Sequence, residues 1–209
     1  MSTAHGGQMA SKFVILLCAA FVLPAAGSAY GAVTDPAAIQ VQILTTALIK
    51  SMRTSPTASM TERYRDLEPV IEQVFALPFM TRVSVGPDWA NFLPEQQKAT
   101  LVAFSRFTIA NYLHHFRDFE GQKFEIDDNV QSRGEYKLVQ TKLIPAHGEP
   151  VNLLYRMREV DGTWKIVDVF YNGISELILH RTDFTAAIAA GGAPELITHL
   201  NKVSDDLMK

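Results

Sequence analysis

The sequence predicts an α+β fold in which N-terminal helices pack on a four-stranded antiparallel sheet, followed by a C-terminal helix. Between residues 35 and 116, apolar residues recur at spacings of three and four, which is the period of amphipathic helices. From residue 123 to residue 171 the period changes to two, as in half-buried strands joined by short turns. No internal repeat and no linker rich in Pro and Gly separates the two halves, so we predict a single domain over residues 30–209.

The first two predicted helices have recognisable starts. Asp35 is expected to be the N-cap of the first helix and Pro36 its first residue, and the stretch 55–59 ends it. The second helix begins near Thr61. Because Pro69 lies inside its apolar pattern, we expect this proline to kink the helix or to mark its true start.

Two further helices precede the strands. A short one near Pro78 stops at Gly86. The longest candidate runs from Pro94 to Phe116, and its apolar residues spread around more than one face. A helix with this pattern is buried on several sides.

The alternating segments define four strands, which cover residues 123–126, 136–144, 151–158 and 164–171. Asp161-Gly162 is a signal for a tight hairpin between the last two of them. The short turns throughout predict an antiparallel meander.

A last helix is predicted to follow the sheet. It runs from about Ser175 to Ala190, and Gly191-Gly192 ends it. Pro194 starts a short further helix, and the residues from Val203 onward are expected to form a polar tail.

The first 29 residues have the pattern of a secretory signal peptide. Lys12 supplies a positive charge, Phe13–Leu23 is apolar throughout, and Pro24 ends that run. The small residues at 27–29 predict cleavage after Ala29. The alternative of an uncleaved anchor is disfavoured, because the apolar run is shorter than the roughly 20 residues that cross a bilayer. We therefore expect an exported, periplasmic protein.

Charge and cysteine content narrow the class of function. Without residues 1–29 the chain has 18 basic and 22 acidic residues, a net charge of −4. That balance argues against a nucleic-acid partner and against electrostatic adhesion to an anionic membrane. Cys18 lies in the predicted signal peptide, so the mature chain has no cysteine and relies on its core instead of disulfides.

The sequence contains none of the common catalytic or metal-binding motifs. There is no HExxH zinc motif, no GxSxG elbow and no phosphate-binding loop. His114 and His115 are adjacent on a predicted helix, so they point about 100° apart, as expected for a surface pair at a helix end and not for a shared metal site. We therefore predict no metal, no cofactor and no enzymatic activity, with one alternative left open.

That alternative concerns Asp168, which stands between Ile166 and Phe170 in a strand with a buried face. In one interpretation it is the acid or base of a small α+β enzyme that acts on an apolar substrate. In the other it forms a structural ion pair with Arg181, which joins the last helix to the sheet. Because buried charges are normally paired, we favour the ion pair.

The chain is rich in large aromatic side chains, with 12 Phe, 6 Tyr and 2 Trp. A densely packed core explains them, and composition alone favours that explanation. The alternative is an apolar cavity enclosed by the helices and the sheet, because ligand cavities are lined by apolar and aromatic side chains with few polar groups.

The C-terminal part of the chain contains motifs that resemble a bacterial family. They are Trp164–Val169, Gly173–Ser175, His180-Arg181 and Phe184. The pattern is similar to that of the toluene-tolerance family of periplasmic lipid carriers, whose best-known member is the soluble subunit of the Mla pathway. Blocks that look like the hopanoid-associated branch of this family are 77–82, 85–89, 133–139 and 174–177.

The resemblance implies a fold and a function. The fold is a set of helices on a four-stranded antiparallel sheet around an apolar cavity, which a lipid enters tail-first without any cofactor. The implied ligand is a hopanoid or a phospholipid carried between the inner and outer membranes. The implied partners are an inner-membrane transporter complex and, as a further expectation, an outer-membrane acceptor.

The predicted helix and strand faces, combined with the resemblance, indicate which side chains line the cavity and bind lipid. These are Val74, Phe75, Phe79, Met80, Val83, Phe104, Phe107, Leu153, Tyr155, Val167, Val169 and Tyr171. Arg82 or Arg156 is a candidate for contact with a polar head group, although a solvated position explains each equally well. A third hypothesis, an interaction module with a solid core and no ligand, predicts that there is no cavity.

Overall fold

The computed structural model describes residues 33–209, so the predicted signal peptide over 1–29 lies outside the described residues. A short 3-10 helix, Gly86–Asn91, follows the third α-helix. The α-helices are α1 (Pro36–Thr54), α2 (Met60–Val74), α3 (Leu77–Val85), α4 (Pro94–His115) and α5 (Glu176–Leu207). The strands are β1 (Lys123–Ile126), β2 (Gln131–Arg133), β3 (Tyr136–Ile144), β4 (Val151–Val160), β5 (Thr163–Tyr171) and β6 (Ile174–Ser175).

Side-chain caps determine where the first two helices begin. The Asp35 carboxylate accepts a hydrogen bond from the Ala37 amide at 2.8 Å, which confirms Asp35 as the N-cap of α1. Ser59 and Glu62 form a reciprocal capping box at the start of α2. Pro69 therefore does not mark the start of α2 but lies in its interior. The buried apolar side chains of α2 hold the helix despite the amide hydrogen bond that the proline lacks.

All six strands form one antiparallel sheet. Its order is β1-β3-β4-β5-β6, and β2 also pairs with β3. The α+β class is confirmed, but the sheet has six strands instead of the predicted four. The first predicted strand is β1, with the expected bounds, whereas β2 was not predicted because its three residues are all polar. Both pair with successive parts of β3. The added strand β6 has only two residues and is too short to show an alternating pattern.

An irregularity in β5 changes which of its residues face the helices. Along β4 and β5, Arg156 is opposite Asp168, whereas the next residue, Met157, is opposite Ile166. Val167 therefore has no partner and forms a β-bulge. Because side chains alternate along a strand, the extra residue shifts the alternation by one position between the two halves of β5.

The core lies between the helices and the sheet. Its most deeply buried side chains come from α1, α2, α4, β4 and β5 and include Leu44, Leu48, Leu67, Ile71, Ile109, Leu113, Met157 and Ile166. Helix α4 is buried along more than one face, as predicted. None of the helices between residues 33 and 209 is long and apolar enough to cross a membrane.

The C-terminal segment differs from its prediction. Residues from Val203 onward are helical to Leu207 and do not form a polar tail. Ser204 is fully buried, and its hydroxyl donates a hydrogen bond to the carbonyl oxygen of Leu200 at 2.7 Å. Asp205 pairs with Arg106 of α4 at 2.6 Å. Exposed polar side chains such as Asp205 thus cover the outer side of this helix, whereas its inner side buries Leu196, Leu200 and Ser204.

Candidate functional site: an apolar cavity between the helices and the sheet

A cavity of about 480 Å³ lies between α4, the start of α5 and one face of the sheet. Most of the side chains around it are apolar or aromatic. Its lining consists of Phe75, Met80, Phe104, Phe107, Thr108, Asn111, Tyr112, His115, Phe116, Leu143, Leu153, Tyr155, Val169, Tyr171, Glu176, Leu177, Leu179 and His180. Tyr171 and Leu179 are 46% and 55% exposed, so the cavity reaches the surface beside them.

Eight of the twelve side chains predicted to bind lipid lie around this cavity. They are Phe75, Met80, Phe104, Phe107, Leu153, Tyr155, Val169 and Tyr171. The other four, which do not line it, are Val74, Phe79, Val83 and Val167.

Val167 and Phe79 show why the predicted faces were inexact. Val167 is the bulged residue of β5, so the alternation that carries Val169 towards the cavity does not continue to it. The Phe79 ring lies beneath the guanidinium groups of Arg82 and Arg158, at 5.8 and 5.3 Å from the ring centroid. Phe79 therefore contributes to a partly exposed cation–π cluster and not to the cavity wall.

Sequence analysis missed a stripe of α4 that continues the predicted one. From Phe104 and Phe107 the stripe extends through Thr108 and Asn111 to His115 at helical spacing. Three of these positions are polar, so the pattern of apolar residues alone does not indicate the stripe. Continuing the helical spacing of Phe104 and Phe107 for two more turns leads to Asn111 and His115.

The start of α5 was also missed, and it supplies one wall of the cavity. The His180 ring meets the edge of Phe107 with 4.9 Å between centroids and stacks on Phe184 at 6.1 Å. Burial among these rings lowers the pKa of His180 below its usual value of 6.5. The imidazole therefore behaves as a mostly neutral, aromatic part of the wall.

A few polar groups stand near the cavity mouth. Glu176 Oε2 lies 3.8 Å from Nε2 of His180, and burial raises the pKa of the Glu176 carboxyl above its usual value. His115 Nδ1 is 2.9 Å from the carbonyl oxygen of Asn111 in the preceding turn. His114 and His115 are both exposed at the end of α4, as a surface pair is expected to be.

Two tyrosine hydroxyls belong to the inner part of the lining. Tyr155 is 1% exposed, and burial raises the pKa of its phenol above the usual value of 10. Burial also raises the pKa of Tyr112 well above 10, and the nearby Tyr155 and Glu176 raise it further. Both hydroxyls therefore remain protonated at any physiological pH.

Asp168 does not line the cavity. It is 1% exposed and accepts hydrogen bonds from the Ser175 hydroxyl at 2.8 and 3.0 Å. Its ionic partner is Arg156 at 3.1 Å, and not Arg181 as predicted. Burial raises the pKa of the Asp168 carboxyl, although its hydrogen bond from Ser175 and the charge of Arg156 oppose that shift.

The cross-strand register explains the wrong partner. Arg156 is directly opposite Asp168 on β4, so the pair forms within the sheet. The guanidinium group of Arg181 lies instead beside Gly86, at the end of α3. The link between the sheet and α5 that we expected from Arg181 is made by Ser175 and by the amide of Leu177, at 3.4 Å from Asp168.

The candidates for a head-group contact, Arg82 and Arg156, are also absent from the cavity lining. Arg82 covers the Phe79 ring, and Arg156 pairs with Asp168. No group of three or more His, Cys, Asp or Glu side chains within residues 33–209 is arranged to hold a metal ion. The lining offers burial of apolar groups together with a few hydrogen-bonding side chains, among them Glu176.

The chain is similar to known proteins in sequence pattern and in fold. The family model described as MlaC protein matches residues 42–202. No curated protein sequence matches the chain significantly. One match among solved structures is the phospholipid-binding protein from Ralstonia solanacearum, in complex with a phospholipid at 1.53 Å resolution. It is 19% identical, with 83% of this chain and 99% of that chain covered and a TM-score of 0.72, so the two chains share a fold.

Proposed function

Because the chain belongs to the MlaC protein family, we propose that it is a periplasmic protein that binds a lipid and carries it between the inner and outer membranes. The observation that carries the proposal is the apolar cavity of about 480 Å³. Its volume is within the range of about 300–1,000 Å³ that is usual for small-molecule sites. The Ralstonia solanacearum protein, which has the same fold, was solved with a phospholipid bound.

The physical need for such a carrier follows from the hydrophobic effect. Each exposed methylene group costs about 0.8 kcal/mol in water, so a free lipid is scarcely soluble. A cavity that buries the hydrocarbon tails removes that cost during passage through an aqueous compartment. This task requires no catalytic group, and Asp168, the acid or base of the enzyme alternative, lies outside the cavity lining.

The proposed ligand is a phospholipid or a hopanoid. The apolar and aromatic lining suits the hydrocarbon of either class. The hopanoid alternative depends on the sequence blocks that look like the hopanoid-associated branch, among them 133–139.

The proposed partners are an inner-membrane transporter complex and an outer-membrane acceptor. Four large apolar side chains are exposed on the segment beside the cavity mouth. They are Tyr171, Ile174, Ile178 and Leu179, with exposures of 46–69%. Exposed apolar patches of this kind are typical of interaction sites, and this one would bring the mouth against a lipid donor or acceptor.

The experiment that tests the proposal is native mass spectrometry of the full chain expressed with its N-terminal segment in a hopanoid-producing host. The protein purified from the periplasmic fraction is weighed and its organic extract is analysed for lipids. We expect an added mass in near-stoichiometric amount that matches a phospholipid or a hopanoid in the extract.

Two results of that experiment would contradict the proposal. If the protein is absent from the periplasmic fraction, the localisation is wrong. If the mass is that of the protein alone and does not change after incubation with liposomes, lipid carriage is wrong. Val169→Trp provides a matched control, since it should leave the protein folded and remove the bound mass.

A further inference from the structure

The two tyrosine hydroxyls of the cavity have no hydrogen-bond partner. Tyr155 is 1% exposed and stands on the sheet, whereas Tyr112 stands on α4, and both side chains line the same cavity. Across residues 33–209, neither hydroxyl donates to or accepts from another group in a hydrogen bond. The carboxyl group of Glu176 belongs to the same cavity lining.

Both hydroxyls are accessible from the cavity. Neither is among the fully buried side-chain atoms of residues 33–209 that lack a partner, although neither is hydrogen-bonded to the protein. The Phe75 ring already packs edge-on against Tyr112 at 5.5 Å, so phenylalanine at position 112 would keep the same apolar contacts. The hydroxyls are therefore available to a polar group of a ligand that enters the cavity.

The depth of Tyr112 and Tyr155 in the cavity indicates which part of a bound lipid they contact. Leu153 is opposite the exposed Tyr171 at the mouth, and Tyr155 is opposite Val169, the next pair along the two strands. Two residues of a strand correspond to about 7 Å, so Tyr155 lies roughly that far inside the mouth. A lipid that enters tail-first has its tails deeper than this level and its head group outside it.

The chemistry of the pair favours an uncharged oxygen atom. A phenol hydroxyl donates one hydrogen bond and also accepts, and both phenols here remain neutral. The carboxyl group of Glu176 beside them offers no attraction to a phosphate. The ester carbonyl of a diacyl lipid and the hydroxyl of a hopanoid alcohol both present the required oxygen.

We propose that Tyr112 and Tyr155 form a hydrogen-bonding site inside the cavity for an uncharged oxygen of the lipid, and that this site selects lipids carrying an ester carbonyl or a hydroxyl just below the head group. This inference rests on the proposed function. It assigns to the two residues a role in specificity that the apolar lining alone does not provide.

The test is a competition inside one sample. The full-length mature protein is incubated with vesicles that contain equal amounts of diester and diether phosphatidylglycerol with the same chain lengths. Native mass spectrometry then gives the ratio of the two bound lipids. A parallel sample contains a hopanoid alcohol and the corresponding hydroxyl-free hopene, which distinguishes the two sources of the oxygen.

The variants are Tyr155→Phe, Tyr112→Phe and the control Tyr136→Phe, which lies on β3 outside the cavity lining and keeps its ring beside Arg156. We expect wild type to prefer the oxygen-bearing lipid of at least one pair by about threefold to tenfold, the effect of one neutral hydrogen bond. Tyr155→Phe should bring the ratio close to one, and Tyr112→Phe should lower it, whereas Tyr136→Phe should retain the wild-type ratio.

Each other result is decisive. If wild type loads both lipids of each pair equally, or if Tyr155→Phe retains the preference, the inference is overturned and lipid carriage stands. If wild type loads none of the four lipids, the proposed function itself is wrong. Since tyrosine and phenylalanine differ by one hydroxyl, thermal unfolding of all three variants should confirm that they fold.

Discussion

A single carboxylate, Asp168, joins three parts of the molecule. It is opposite Arg156 on β4, accepts from the hydroxyl of Ser175, and lies 3.4 Å from the amide of Leu177. Ser175 is also the N-cap of α5, because its hydroxyl accepts from the Ile178 amide. Through these contacts Asp168 joins the sheet to the start of α5, the helix that forms one wall of the cavity.

Removing that carboxylate should destabilise the protein. Asp168→Ala leaves Arg156 without its ionic partner and Ser175 without its acceptor, so we expect a loss of about 2–4 kcal/mol in the free energy of unfolding. Urea denaturation measures it. Asp183→Ala, at an exposed position of α5, is the control and should change stability little. An Asp168→Ala variant as stable as wild type would contradict the structural role.

The imidazole of His180 should titrate below its usual range. Its folded-state pKa lies below 6.5, so as the pH falls the unfolded chain takes up the proton first. The contribution of the neutral ring to stability is complete above pH 6.5 and is lost as the pH falls through the folded-state pKa. NMR titration, with the signal assigned from His180→Phe, measures that pKa directly.

The corresponding stability measurement compares wild type with His180→Phe. Between pH 6.5 and the folded-state pKa, wild type should lose stability relative to the variant, and below that pKa the difference should become constant. An imidazole that titrates at or above 6.5 would show that the ring is not held among Phe107 and Phe184 in solution.

Helix α5 is divided into two segments by its glycines. Gly191 and Gly192 interrupt the helical dihedral angles, and Gly192 has φ +67° and ψ −150°. The segment before the break forms a wall of the cavity, whereas the segment after it packs on α4 through Leu200 and the Arg106–Asp205 pair. Because of this break, the first segment of α5 can line the cavity while the second packs on α4.

Gly192→Ala should therefore destabilise the protein by about 1–3 kcal/mol, because only glycine adopts this region of backbone space readily. The added methyl group itself has room, since its nearest neighbour is Pro194 Cδ at 3.9 Å. Chemical denaturation gives the free energy, with the exposed Ala190→Ser as a matched control. Equal stability of the two variants would show that the backbone at Gly192 differs in solution.

Individual elements show what the sequence could and could not predict. The bounds of β3 were predicted correctly because its alternation is uninterrupted and turns flank it. The bulge at Val167 could not be predicted, because a valine gives the same apolar signal whether or not it has a partner on the neighbouring strand. The C-terminal helix was mistaken for a tail because Ser204, a buried position of its inner face, is polar.

The candidate site was predicted only where it is apolar. Phe104, Phe107 and Tyr155 follow from helix and strand faces, whereas Asn111 and His115 lie on the same stripe of α4 and were overlooked as polar. The partner of Asp168 was also unpredictable, since it depends on the strand register and not on spacing along the chain.

For the whole molecule, the decisive property is that part of its interior is a cavity and part is solid core. Val169 and Val167 are two residues apart in β5 and test this division. Val169 lines the cavity, whereas Val167 is fully buried and does not. Tryptophan at position 169 should fill the space that a lipid needs and abolish lipid uptake with little loss of stability.

Tryptophan at position 167 should instead overpack the interior and cost about 1–3 kcal/mol or more. Leu153→Trp should behave like Val169→Trp, because Leu153 also lines the cavity. Lipid uptake from vesicles and urea denaturation measure the two effects separately. If Val169→Trp is as destabilising as Val167→Trp and still takes up lipid, the cavity is not the binding site.

The bulge in β5 also affects how relatives of this chain should be aligned. Up to Ile166 the strand follows one alternation, and from Asp168 onward it follows the other. A homologue that lacks the extra residue conserves the same cavity wall only if the gap is placed at position 167. An ungapped alignment would pair inward-facing positions with outward-facing ones, and conservation scores along this strand would then describe the wrong side of the sheet.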